Sequence, residues 1–501
     1  MLWHIVRKDW KLLRHTILLV AFCNALVRIL ALAFGPFDDV RSRALATALS
    51  MIDPAAIIAT AVLIVLIVQT DPIPDGSQDW LVRPIRRRDL LLAKAASVAL
   101  FAQAPIFLFE AAECLANGFP LGASIAAPLG RSLYMFFALD LPVLALATLM
   151  HGLRRVIGAA FLCFLAYTII WATIAQTDPL AIATRRLWLD TAAQLLWAAA
   201  AAAGILAFQY FRRRTTRARL AFAAGLLCWM ALEFLPWRPL FAFEESLSRR
   251  PAAAESIHVA FDPSAGRLPH TGHGREAVHF NSGGAKNPGG AKRDIGIALP
   301  VRFPGLADTE LLVPDHIAVR LTSPAGETVY DGVTTLGIQS ADQRPYEFVW
   351  IPEPTYNRVK DQPLRLDLDY SLTLIQPDAE ITLPVAAGDR WIPGFARCVT
   401  RFSAPDNYLD LACLAPGQLP PATLFLEKPD GRQISAHSEI ERSNYAPFLA
   451  RVSGDSITRM SANWGEAAAG DRIIIRPYTA AAHFTRYLTI PEIRLGEWRP
   501  Q

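Results

Sequence analysis

Leu220-Ala221-Phe222-Ala223-Ala224-Gly225-Leu226-Leu227-Cys228-Trp229-Met230-Ala231-Leu232-Glu233-Phe234-Leu235-Pro236 is the last long apolar run of the chain, and Trp237–Arg250 ends it. Before that switch, residues 1–236 are rich in Ala, Leu, Ile and Phe, with charges bunched between apolar runs. After it, residues 245–501 are polar, punctuated by Pro and Gly, and carry short alternating segments. The averages agree with two unlike halves. Of 501 residues, 52% are apolar and 19% charged, against about 25% charged in soluble domains. Such a chain is neither disordered nor simply soluble. A net charge of +4 is too small to argue for nucleic acid, and six cysteines exclude a disulfide-dense scaffold.

A helix needs about 20 mostly apolar residues to cross the hydrocarbon core. Seven runs meet or approach that length: Thr16–Gly35, Pro54–Thr70, Leu91–Ala112, Ser132–Met150, Val156–Ala175, Thr191–Phe211 and Leu220–Pro236. The second is short, and the seventh carries Glu233. Lys/Arg bias sets the orientation. With the N-terminus inside, 16 basic residues fall in inner segments and 5 in short outer loops. The expected topology is therefore N-inside, with the C-terminal half outside. If the seventh run does not cross, that half faces the cytoplasm. The expected division is an interfacial helix 1–15, a membrane domain 16–236, a linker 237–254 and two β-sandwich modules, 255–385 and 386–501.

The β expectation rests on alternation at Ser256–Phe261, His316–Leu321, Tyr346–Ile351, Leu364–Ile375, Ala396–Phe402, Tyr408–Leu414, Thr423–Glu427 and Arg472–Arg476. Turns such as Pro324-Ala325-Gly326 and Pro429-Asp430-Gly431 separate them. Residues 263–292 have no period and read as a long surface loop. Cys398 and Cys413 flank the turn Ala404-Pro405-Asp406-Asn407, so a hairpin there sets them opposite each other. Outside the cytoplasm that pair would oxidise; inside, both would stay reduced in the core. Cys23, Cys114, Cys163 and Cys228 read as small hydrophobes.

Charges within spans are functional candidates by default. Arg28 and Asp140 each lie about 12 Å from the outer end of a span at 1.5 Å per residue, and the expectation is an ion pair between them. Glu110, Glu113 and Glu233 read as solvated charges at the outer rim. Pro105 and Pro142 are expected to kink their spans. His270, His273 and His279 fall in the Gly-rich loop with no metal-binding spacing, so no metal and no cofactor is expected. No Gly-x-x-x-x-Gly-Lys-Ser/Thr run occurs, and no nucleophile elbow or His-Glu-x-x-His helix. The sequence therefore gives no reason to expect an enzyme.

The segment between the second and third spans is the most specific. It reads Asp71-Pro72, a spacer, then Asp79-Trp80-Leu81-Val82-Arg83-Pro84-Ile85-Arg86-Arg87-Arg88, and continues into Leu91-Leu92-Ala93-Lys94. Trp80 suits the headgroup level, and the arginines suit phosphates or an acidic partner. The segment resembles the first cytoplasmic loop of ABC-2-type transporter permeases. The match is carried by Asp71-Pro72, Trp80-Leu81, Arg83-Pro84-Ile85, Arg87-Arg88, Leu91-Leu92 and Ala93-Lys94. The opening Trp3–Arg14 resembles that family's interfacial helix, with Trp3, Val6, Trp10 and Leu13 on one face.

The resemblance covers roughly residues 1–211. It implies a bacterial inner-membrane permease subunit that works as a homo- or heterodimer with a separate ABC ATPase. That ATPase would dock at Asp79, Trp80, Arg83, Pro84, Arg87 and Arg88, with the β half in the periplasm. The family core has six spans and no large β half, so the seventh run and residues 245–501 depart from it. The alternative is a non-transporting membrane anchor or sensor whose β half binds a ligand or protein.

Overall fold

A computed structural model describes residues 2–32, 43–71, 86–150, 152–177, 188–212, 215–232, 237–268, 294–334, 339–340, 346–417, 419–435 and 457–499. Among them, six helices are long and apolar enough to cross a membrane. The first, α1, runs unbroken over Leu2–Leu32. The expected interfacial segment is thus continuous with the first span, because no Pro or Gly interrupts it. Helix α2 is Arg43–Gln69. Helix α3 is built from Arg87–Val98, Ala99–Gln103 and Ala104–Ala116, and α4 from Leu121–Met135, Phe136–Asp140 and Leu141–Leu149. Helix α5 is Leu153–Thr177, and α6 is Trp188–Ala207 followed by Phe208–Arg212. A seventh helix, α7 (Thr215–Leu232), carries Arg217 and Arg219 in its first turns and is not one of those six.

The bundle buries Val20, Leu63, Ile64, Ile67, Leu144 and Ile205 in a shared core. It leaves Leu18, Leu19 and Phe22 of α1 and Phe161, Leu162 and Phe164 of α5 exposed. Lipid is the solvent that such outward apolar faces fit.

Among the described residues three turns of this bundle are wider than α-helical: Phe208–Arg212, which ends α6, and one each in α3 and α4. Ala99–Gln103 in α3 and Phe136–Asp140 in α4 are π-helical, closed by Ala104 N–H to Ala99 O and by Leu141 N–H to Phe136 O. For these two the cause is in the sequence. Pro105 and Pro142 follow one residue after each closing amide. Each lacks an N–H and crowds the carbonyl four residues back, so the preceding turn opens. The expected proline kinks take this form, and each of these two turns ends on a polar residue, Gln103 or Asp140.

The segment expected as a plain linker is largely helical. Helix α8, Trp237–Ser246, and a short turn, Pro251–Glu255, lead into the β region. Fifteen strands follow among the described residues. Strands β2 (Asp294–Arg302) and β6 (Tyr346–Pro352) pair with each other, and β1 (Ala260–Phe261) pairs with β2. This small sheet packs on β3 (Leu311–Thr322), β4 (Thr328–Thr334) and β7 (Leu364–Pro377). β7 alternates strictly over much of its length, so Leu364, Leu366, Leu368, Tyr370, Leu372 and Leu374 enter one core. A second sandwich sets β9 (Gly388–Ile392), β10 (Ala396–Ser403), β11 (Tyr408–Pro416) and β14 (Ile457–Trp464) against β8 (Ile381–Pro384) and β12 (Ala422–Glu427).

The last strand, β15 (Arg472–Ile493), joins both sandwiches. Its first part pairs with β8 and β12, and its second part, from Tyr478 on, pairs with β7. The register shifts between Ala480 and Ala482. Ile473 and Ile475 enter the second core, while Phe484, Leu488 and Ile490 enter the first. The modules are therefore not in tandem with a cut at 385/386. The second module, residues 381–477, is inserted into the first, which the chain re-enters at its end. Alternation reveals a strand but not its partner, so the sequence placed the whole C-terminal end in one module.

Candidate functional site: buried polar clusters along α3

The first cluster lies at the end of the bundle away from the β region. Lys94 and Asp9 are both fully buried. Lys94 Nζ donates to Asp9 Oδ1 at 3.0 Å and Oδ2 at 3.1 Å, to Thr70 Oγ1 at 2.6 Å, and lies 2.9 Å from Asp71 Oδ2. Ser97, one turn along α3 from Lys94, donates to Asp9 Oδ2 at 3.0 Å. Lys8 Nζ lies 2.5 Å from Asp71 Oδ1. Burial opposes ionisation of Asp71, but Lys94 and Lys8 outweigh it and hold its carboxyl below the ordinary value. Two lysines and two aspartates balance, so every buried charge here has an opposite neighbour.

This lattice ties α1 to the end of α2 and the start of α3. Those are the two borders of segment 72–85, which carries Asp79, Trp80, Arg83 and Pro84 and lies outside the described residues. Arg87 and Arg88 open α3, and the Arg88 side chain is exposed. Beside them Gln69 Nε2 donates to Ala147 O and Met150 O, both at 2.9 Å. Arg219 donates to Leu149 O, fastening the end of α4 as well. The sequence reading singled out Asp71 and Lys94 only as parts of a motif, and it gave Asp9 no role. Their signal was a charge at the margin of an apolar run, opposite in sign to another such charge.

The second cluster lies toward the β region. Arg28 is 3.1 Å from Glu110 Oε1, 3.5 Å from Glu113 Oε2 and 3.9 Å from Asp53 Oδ1. Arg131 is 3.1 Å from Glu110 Oε1. This corrects two expectations. Glu110 and Glu113 are not rim charges: their exposures are 1% and 3%, because they face α1 and α4 one turn apart on α3. Arg28 pairs with these carboxylates and not with Asp140. Asp140 instead accepts a hydrogen bond from the Gln103 amide, bringing the π-helical turns of α3 and α4 together. All of these groups except Glu113 line one cleft between α1, α2, α3 and α4, with a cavity of about 30 Å³.

The turn after α3 rests on the second sandwich. Gly118 (φ +74°) lets the chain turn tightly under the Arg397 guanidinium, which would lie 3.2 Å from a Cβ at that position. Arg397 donates to Asn117 O and to Asp389. Phe119 packs edge-on against Trp391 at 5.9 Å and is buried with Cys114 and Leu414. Arg397 and Leu414 are register partners, and the next pair along, Cys398 and Cys413, forms a disulfide. The first sandwich meets α8: Arg238 pairs with Asp369, Phe241 packs edge-on against His483, and Ser248 Oγ accepts from His483 N–H at 2.8 Å. Burial pushes the His483 imidazole down to about 4.

His270, His273, His279 and Glu233 lie outside the described residues. Among the described residues, no group of three or more His, Cys, Asp or Glu side chains could hold a metal ion. The chain matches no protein-family model and no curated protein sequence.

Proposed function

We propose that this chain is the membrane-spanning subunit of an ATP-driven transporter of the ABC-2 type, engaging a separate ATPase through segment 72–85. The observation that carries the reading is the Asp9–Lys94–Asp71–Lys8 lattice. It holds both ends of that segment against α1 through a fully buried lysine. A push on the segment from a partner is then delivered to α1, α2 and α3 together instead of being lost in a loose loop. Asp71 and Lys94, which form the lattice, are also residues of the motif that resembles the permease family.

On this reading two such chains flank one pathway in a bacterial inner membrane, α7 crosses as a seventh span, and the β region lies in the periplasm. The test is purification of the tagged chain in mild detergent from its native host. A stoichiometric P-loop ATPase that is lost on Trp80→Ala and Arg83→Ala supports the reading. Purification without any ATPase, under conditions that keep control complexes intact, overturns it. A second reading, an anchor or sensor without transport, draws on the direct contact between Arg397 and the α3–α4 turn. Under that reading Trp80 and Arg83 matter for orientation alone.

A further inference from the structure

Gln103 and Asp140 each end a π-helical turn and each stand two residues before a proline. The Gln103 amide donates to Asp140 Oδ2. That leaves Gln103 Oε1 and Asp140 Oδ1 without a hydrogen-bond partner among the described residues. Both side chains are more than nine-tenths buried, at 7% and 0% exposure, and both line the cleft. Buried polar atoms in native proteins are nearly always partnered, so two orphaned oxygens on adjoining groups call for a ligand. Wide π-helical turns are themselves frequent at functional sites.

The charges around them say which sign the ligand has. Facing the cleft are Arg28 from α1, Asp53 from α2, Glu110 from α3, and Arg131 and Asp140 from α4. Glu113 of α3 joins through Arg28. Helix α6, which also packs on the turn bearing Asp140, has no charged residue between Thr191 and Phe211. Four carboxylates thus face two guanidiniums. Glu110 engages both guanidiniums, and Glu113 and Asp53 engage Arg28 as well. Asp140 forms no ion pair among the described residues. A bare carboxylate in such surroundings is expensive, and positive charge is what relieves it.

We propose that this cleft binds one small cation at Asp140 Oδ1 and Gln103 Oε1, either a proton or a monovalent metal ion of sodium's class. The Asp140 and Gln103 oxygens, with the unpartnered Ser132 hydroxyl on the same cleft, carry one negative charge and suit a single positive charge. Calcium asks for six to eight oxygen ligands and magnesium for a rigid octahedron, which this set does not offer. The proposal stands on this geometry and does not depend on an ATPase partner.

The test uses the full chain in mild detergent, with thermal unfolding followed by tryptophan fluorescence. It is run from acid to mildly alkaline pH, in choline chloride and in sodium or potassium chloride at matched ionic strength. A pH dependence of the midpoint in choline that is smaller in Asp140→Asn than in the wild type, beyond the His483 part that both proteins share, supports the proton. A shift specific to one alkali cation, competed by acid and lost in Asp140→Asn, supports the metal ion. Gln103→Leu removes one orphaned oxygen and keeps the carboxylate. It should weaken the apparent affinity for a metal ion at least tenfold or, where the ligand is a proton, move the pH response of the midpoint upward because the amide that donates to the Asp140 carboxylate is lost, and it decides the matter if Asp140→Asn yields no folded protein. Identical pH and salt responses in wild type and both variants would mean that water alone fills the cleft, and the proposal falls.

Discussion

Replacing Lys94 with Met tests whether the first cluster is a structural lattice or a chance meeting of charges. The substitution keeps most of the volume and removes the ammonium. Lys94 is fully buried and reaches Asp9 twice, Thr70 once and Asp71 once. Breaking a buried pair from one side costs about 3–5 kcal/mol. Here Asp71 keeps Lys8 at 2.5 Å, and Asp9 keeps the hydroxyls of Thr70 and Ser97. The expected cost is therefore about 3 kcal/mol, at the low end of that range. Asp9→Asn leaves Lys94 its Asp71 partner and should cost less, about 1–2 kcal/mol. Combining the two removes one charge of each sign. The double variant should then be less destabilised than the sum of the singles by about 1–2 kcal/mol, since residues in one network couple. The assay is unfolding of the full chain in detergent, with all four proteins compared under one condition. A cost below about 1 kcal/mol for Lys94→Met, or strict additivity, would refute the lattice.

Further outcomes follow from other parts of the molecule. The Cys398–Cys413 bond closes a separation of 15 residues, so Cys398→Ala with Cys413→Ala should lower stability by about 3 kcal/mol. Thiol labelling of the denatured protein should find four free cysteines before reduction and six after. His483, held neutral by burial, takes up its proton at about 4 in the fold against 6.5 when unfolded. The unfolded chain then binds the proton first as pH falls. Stability is full above about pH 6.5 and is lost down to about 4, by about 3 kcal/mol at 1.36 kcal/mol per unit. His483→Gln should flatten that slope in a pH series of denaturant unfolding. Asp71, held below its ordinary value, contributes stability above that value and loses it only in stronger acid. The difference between wild type and Asp71→Asn should therefore be constant at neutral pH and shrink below about pH 4. Arg397→Ala should speed amide exchange at Asn117–Phe119 while leaving exchange in the first sandwich unchanged.

The division into a helical and a β half was legible, because solvent preference is written residue by residue. Six of the seven apolar runs correspond to the helices able to span, and the seventh is a helix whose first turns carry two arginines. The hairpin of Cys398 and Cys413 was legible too, because a four-residue turn between alternating segments fixes register locally. What was not legible depends on which face of a helix turns inward. Glu110 and Glu113 sit near the end of their apolar run, where depth alone reads as access to water. Burial came from the two arginines of α1 and α4, which the sequence places 82 residues before and 21 after Glu110. The inserted second module was hidden for a similar reason. The two ends of β15 look alike as strand, and only the sheet edges they meet decide that the chain goes back to β7.

Among the described residues, the buried charge lattices of the helical bundle converge on α3. Lys94 and Ser97 hold its first turns to α1, Gln103 meets Asp140 at its π-helical turn, Glu110 and Glu113 take Arg28 and Arg131, and the turn after it lies under Arg397. From Lys94 to Glu110 is 16 residues, about 24 Å along the axis at 1.5 Å per residue. A helix so fixed at both ends does not tilt independently of what it touches. Displacing the borders of segment 72–85 therefore moves the cleft and strains the Arg397 contact, or else breaks one of the lattices. The widened turn at Ala99–Gln103 is where such a strain has least to break, since its hydrogen bonding already departs from the α-helical ladder. This places the Gln103–Asp140 pair at the mechanical midpoint between the segment that resembles an ATPase contact and the β region. Straightening α3 by Pro105→Ala should then remove that compliant point and stiffen the link between the two ends. Exchange at Asn117–Phe119 should respond more strongly to Trp80→Ala on the Pro105→Ala background than on the wild type, and an equal response would show that α3 is not the path.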